Sequence, residues 1–131
     1  MPPRRAAKLR IARLTKLRRR KIKLAQSRRM KRLHKIQLLN DNHRQMMLTV
    51  FMSRPFYELP QSTKSEAFKR IQAYSKFAPN GQHDAGVIIM AKQSILWRIE
   101  YRAPDMKARS RDPADPNRTI RVLIVEVSER N

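Results

Sequence analysis

The chain contains no cysteine, which excludes disulfides and thiolate metal sites. Glycine is almost as scarce, with Gly81 and Gly86 the only two in 131 residues. A glycine-rich phosphate cradle is therefore absent, and P-loop nucleotide hydrolysis with it. No apolar run approaches the ~18 residues needed to span a bilayer, so no membrane partner is expected. Neither a Gly-x-Ser-x-Gly elbow nor a kinase signature set occurs. The three histidines, His34, His43 and His83, stand in no metal-ligand spacing, and the expectation is no metal and no cofactor. The most informative absence is of acid: residues 1–44 hold Asp41 alone against 17 Lys or Arg.

Those counts divide the formal charge of +21 into +16 for residues 1–44 and +5 for residues 45–131. Solubility needs nothing like +16 over so short a stretch, and self-repulsion of that size makes sense when a polyanion neutralises it. An ordinary charged helix face mixes both signs. The expected partner is nucleic acid, with Arg4, Arg5, Arg10, Arg13, Arg18, Arg19, Arg20, Lys21, Lys23, Arg28, Arg29, Lys31, Arg32 and Lys35 as phosphate contacts. Phosphate contacts carry no sequence information, and no helix-turn-helix, zinc-finger or RNA-recognition signature appears. RNA is favoured because dense Arg/Lys helices resemble arms that thread through folded RNA; a basic helix in a DNA major groove is the alternative.

Residues 4–53 lack both Gly and Pro, and strong helix formers dominate the first forty positions. One long basic helix, or two, is expected there, with Ile11, Leu14, Leu17, Ile22, Leu24, Ala25, Leu33, Ile36 and Leu39 on one half of the circumference among intruding cations. Asn40, Asp41 and Asn42 favour turns, which places the end of a 1–44 arm in "LLNDNHRQ" and a second unit over 45–131. "MMLTVFMS" (46–53) reads as a strand before Arg54-Pro55, with a continued helix as the alternative because Met and Leu also favour that state. "STKSEAFKRIQAYSKFAP" reads as a helix, opened by a Thr63–Glu66 capping box and closed by Pro79-Asn80-Gly81, with Phe68, Ile71 and Tyr74 on one face. "GVIIMA" (86–91), "SILWRIEYR" (94–102) and "TIRVLIVEVSER" (119–130) read as strands, the last nearly continuous in its apolar run and hence central. Residues 103–118, with Pro104, Pro113 and Pro116, form a long polar loop. The expected class is α+β: a basic helical arm, then one helix packed on a three- to four-stranded, mainly antiparallel sheet.

Ile95, Trp97, Ile99 and Tyr101 share one face of their strand, which makes Trp97 and Tyr101 core residues rather than base-stacking platforms. Arg98 or Arg102 is expected to pair across the sheet with Glu126.

The order strand, helix, then a three-stranded meander containing "ILWRIEYR" and "RVLIVEVSER" resembles the RelE/ParE superfamily of small bacterial toxins over residues 47–130. The resemblance implies a compact α+β domain that cleaves ribosome-bound messenger RNA or poisons gyrase. In the cleaving members it implies work by basic and aromatic sheet residues, here Arg98, Tyr101, Arg102, Arg121 and Arg130, as a metal-independent endoribonuclease. The residues themselves favour a non-enzymatic nucleic-acid-binding protein, ribosome- or ribonucleoprotein-associated, with a protein partner for residues 45–131. The expected location is the cytoplasm or a nucleoid or ribonucleoprotein particle, with nucleus and mitochondrion left open: transit peptides are also Arg-rich and acid-poor, but less densely charged.

Overall fold

The structure, a computed structural model, describes residues 3–129, with side chains over 6–128. Two compact units occur, Met1–Arg32 and Leu33–Asn131. The first is helical, and every side chain over 6–32 is exposed. The second is an α+β unit.

One helix, α1 (Pro3–Met46), occupies the first unit and continues into the second. It does not break at Asn40-Asp41-Asn42, contrary to the turn expected there. Tertiary bonding overrides the turn preference: Asn40 is fully buried and hydrogen-bonded, and Asp41 takes an i,i+3 ion pair from Arg44 at 2.9 Å. The helix stops instead at Met47, a left-handed residue (φ 50°) whose N–H donates to the His43 carbonyl at 2.7 Å.

The strand expected over 46–53 shrinks to β1 (Val50–Met52), because Met46 belongs to the helix. A one-turn helix that the sequence reading missed, α2 (Arg54–Tyr57), follows at once. Ser53 caps it, accepting from the Phe56 N–H at 3.3 Å, and Pro55 sits in its first turn, where a missing N–H costs nothing. The next helix, α3 (Gln61–Gln72), starts one turn earlier and ends sooner than expected. It begins after Pro60 with no side-chain cap, so Thr63 and Glu66 form no capping box, and it closes at Ala73 rather than Pro79. Tyr74 lies beyond the helix yet still packs on the core, edge-on to Trp97 at 5.3 Å.

Strands β2 (Ala85–Ile89), β3 (Gln93–Arg102) and β4 (Ile120–Glu129) complete a sheet of order β1-β4-β3-β2, in which only the β1–β4 pair is parallel. β4 is central, as its unbroken apolar run implied. Ile36 of α1, Phe56 of α2, and Ala67 and Ile71 of α3 pack with Ile88, Ile95, Trp97, Ile99, Tyr101, Leu123 and Val125 on one face of the sheet. Residues 103–119 form the long loop. It folds back through Ser110 N–H to the Tyr101 carbonyl (2.9 Å) and Thr119 Oγ1 to the Asp112 carbonyl (2.7 Å), and buries Ala114.

Gly86 has a packing reason. A Cβ there would lie 2.6 Å from Trp97 Nε1 and 2.7 Å from Tyr74 Cζ. Both are ring atoms held by the core, so Gly86→Ala should destabilise the unit by about 1–3 kcal/mol. A lowered chemical-denaturation midpoint at unchanged m-value is the expected reading.

Candidate nucleic-acid interface

Over residues 6–32 of α1 there are thirteen Lys or Arg and no Asp or Glu. At 1.5 Å per residue this stretch is about 40 Å long, roughly one cation per 3 Å of axis, against one phosphate per ~1.7 Å of duplex. Arg18, Arg19, Arg20 and Lys21 are consecutive and therefore point around the whole helix. Ile11, Leu14, Leu17, Ile22 and Leu24 are 51 to 64% exposed. The apolar half-face is not buried along this part of the helix. It becomes core only at Ile36, with Leu33 and Leu39 half-buried.

Of the residues expected to contact phosphate, those from Arg10 to Lys35 all lie on exposed helix. Arg4 and Arg5 have helical backbone, and their side chains fall outside the described residues. Lys8 and Lys16, passed over in the sequence reading, stand on the same exposed helix and join the set.

The five sheet residues do not form one constellation. Arg98 and Arg102 lie on the outer face, opposite the helices. Tyr101 and Arg121 face inward, opposite one another in the β3–β4 register. Arg130 lies outside the described residues. Arg98 Nη1 binds Glu126 Oε1 at 3.0 Å and its Nε binds Glu100 at 3.3 Å, while Arg102 Nη2 reaches Glu100 at 2.6 Å. The cross-strand pair to Glu126 is thus made by Arg98. The bond from Arg102 holds the Glu100 carboxyl below the ordinary range, and the Glu126 contact raises Arg98. A cleft of about 540 Å³ opens here, lined by Arg98, Arg102 and Arg109 but also by Asp84 and Glu100. Its charge is mixed, and Arg98 and Arg102 already hold carboxylates.

On the inner face, Asn40 joins α1 to the sheet. Its Nδ2 donates to Tyr101 Oη (2.7 Å) and to the Gln82 carbonyl (2.9 Å), and its Oδ1 accepts from Arg121 Nε (2.7 Å). Arg121 also donates to the Pro113 carbonyl and lies 5.3 Å from the centre of the Tyr101 ring. Burial lowers the affinity of Arg121 for its proton. Burial above all raises the Tyr101 phenol, to about 12, so the ring stays neutral at physiological pH and can serve as donor or acceptor but not as a base. Nothing in the sequence marked Asn40, which read as a turn former.

Beside this network, His83 (φ 61°) stacks on Phe77 at 4.2 Å and places Nδ1 3.1 Å from Asp41 Oδ1. His43 binds the Thr49 carbonyl at 3.2 Å. Its pKa lies below 6.5, lowered chiefly by burial and further by the Arg121 charge, against an opposing effect of the Thr49 bond. The fold therefore favours neutral His43, and the unfolded chain takes up a proton first as pH falls. Stability should be complete above about pH 6.5 and decline below it, down to the folded pKa. His43→Gln should flatten that part of the stability–pH curve, measured by urea denaturation between pH 7.5 and 5.

Among the described residues no group of three His, Cys, Asp or Glu could hold a metal ion, and no helix is long and apolar enough to cross a membrane. No curated protein and no solved structure matches the chain. A family described as a protein of unknown function (DUF3768) matches residues 52–129, more than half of the chain. The match takes in the whole of β2, β3 and β4 and begins after α1. The chain belongs to the DUF3768 family.

Proposed function

We propose that this is a non-enzymatic nucleic-acid-binding protein, anchored through phosphate contacts by the cationic stretch of α1. The observation that carries the reading is the run of thirteen exposed Lys and Arg over residues 6–32 with no acid among them. Such a helix holds like charges at i,i+4 along its length, which destabilises it until counter-charge arrives. A polyanion supplies that charge and releases its own condensed counterions in exchange. RNA is the favoured partner, in a ribosome- or ribonucleoprotein-associated setting, since a narrow rod with cations on every side suits enclosure by folded RNA on several sides. A duplex groove engages fewer faces at once.

The ribonuclease reading draws on Arg98, Tyr101, Arg102 and Arg121. Their division between two faces of the sheet, and the burial of Tyr101, weigh against it. The deciding experiment titrates the full chain against structured RNA, single-stranded RNA and duplex DNA across a salt series. A steep negative slope with a preference for structured RNA supports the proposal. Salt-independent binding defeats it, and so does message cleavage that is abolished by Arg98→Ala.

A further inference from the structure

We infer that the protein self-associates by antiparallel pairing of β2 with β2 of a second copy, extending the sheet across a two-fold axis at Val87. β2 is an edge strand, paired with β3 alone. The ladder fixes which of its backbone groups are used. Ile99 N–H donates to the Asp84 carbonyl (2.7 Å) and Met90 N–H to the Gln93 carbonyl (3.0 Å), so the even-numbered residues exchange bonds with β3. The N–H and C=O groups of Ala85, Val87 and Ile89 consequently point away from the sheet. Arg70 Nη1 donates to the Ile89 carbonyl at 3.2 Å, and that oxygen keeps a second lone pair. An edge of this kind is a template for another strand.

Three properties select a second copy as that strand. Antiparallel pairing about Val87 sets Val87 against itself and Ala85 against Ile89, so every outward group meets its complement. It also brings together side chains that are 49% (Val87) and 62% (Ile89) exposed. Finally, the edge carries opposite charges at its two ends: Asp84, whose carboxylate accepts from Tyr101 Oη at 3.1 Å, precedes its first residue, while Lys92 and Arg70, the latter ion-paired with Glu66, stand beside its last. Antiparallel pairing lays the acidic end of one copy along the basic end of the other, whereas a uniformly acidic peptide would meet Asp84. Pairing of this isologous kind closes as a dimer. Two cationic helices per particle would then make polyanion binding bivalent.

The test is independent of nucleic acid. The full chain, freed of nucleic acid, is examined by light scattering and sedimentation at about 100 µM and ~0.5 M salt, where the Debye length of about 4–5 Å screens repulsion between copies. The expected mass is twice 15.6 kDa. Val87→Pro removes only an outward donor and leaves the β2–β3 ladder whole, so it should give a folded monomer with unchanged circular dichroism. Because the chain has no cysteine, single cysteines report the register. Val87→Cys should cross-link on mild oxidation, since facing Cα atoms about 5.5 Å apart suit a disulfide. Ala85→Cys, about 13 Å from its counterpart, should not. A monomeric full chain overturns the inference. So does a dimer that survives Val87→Pro without cross-linking at Val87→Cys, and so does a monomer whose edge amides gain exchange protection only on adding a Glu-rich peptide.

Discussion

Replacing Arg18, Arg19, Arg20 and Lys21 with glutamine should lower the slope of log affinity against log salt by ~3 on a single strand that wraps the helix, and by less than the ~3.6 of four contacts on a duplex. Each phosphate neutralised contributes about 0.9 to that slope on B-form duplex and ~0.7 on a single strand. Four consecutive residues cover the whole circumference of α1, so a polyanion that wraps the helix engages all of them and a groove engages only some. The size of the slope change therefore reports geometry as well as charge. If the salt lines of variant and parent meet near 1 M, the affinity loss near 0.15 M is about 10²- to 10³-fold. Glutamine keeps side-chain length and helix propensity, which confines the change to charge. Arg98→Gln and Arg102→Gln form the control. Their guanidiniums are held by Glu100 and Glu126, so the slope should stay where it was. An unchanged slope in the four-residue variant would refute the assignment of the helix as the anchor.

Asn40→Leu should be the most damaging single substitution in the sheet unit, costing about 3–5 kcal/mol. Asn40 is 0% exposed and its side chain satisfies three separate elements: β3 through Tyr101, β4 through Arg121, and the Gln82 turn. Leucine fills a similar volume, so the loss is in bonding rather than in packing. The charged Nε of Arg121 would be left in the interior without its Asn40 acceptor, with the Pro113 carbonyl still bound at Nη2. The double variant Asn40→Leu with Arg121→Met removes both the orphaned cation and its lost partner. It should be more stable than Asn40→Leu alone, since replacing both members of a buried polar pair by apolar groups is far milder than removing one. A denaturation-based double-mutant cycle measures the difference. Equal or additive losses would show that Arg121 finds another acceptor.

The elements that the sequence disclosed are those whose pattern is internal to the segment. Alternation of Ile95, Trp97, Ile99 and Tyr101 against Arg98, Glu100 and Arg102 located β3 and its buried face, and the acid-free run disclosed the cationic helix through composition alone. Where partners far along the chain decide, local sequence preference does not hold. Asn40 favours a turn in isolation, and its bonds to residues 61 and 81 positions away hold it in a helix. β1 exists through its parallel pairing with β4. α2 does carry a local signal, a serine cap followed by a proline, but is only four residues long. The inward orientation of Arg121 was hidden for a related reason. β4 is apolar on both faces, so it lacks the alternation that would assign a side chain, and only its register with β3 places Arg121 opposite Tyr101.

The continuity of α1 has an energetic consequence for the cationic stretch. Starting a helix fixes several residues before the first hydrogen bond returns anything, a penalty of order 10⁻³ in equilibrium constant, or about 4 kcal/mol. Ile36, Asn40 and Arg44 are buried in the sheet unit and belong to the same helix as Arg18 and Arg32. The turns they hold form a permanent nucleus, and the repelling residues ahead of them need only propagate from it, one hydrogen bond per residue fixed. On the proposed polyanion-binding reading, the buried turns at Ile36, Asn40 and Arg44 spare the cationic stretch the cost of starting its own helix, a cost that an excised arm would bear in full.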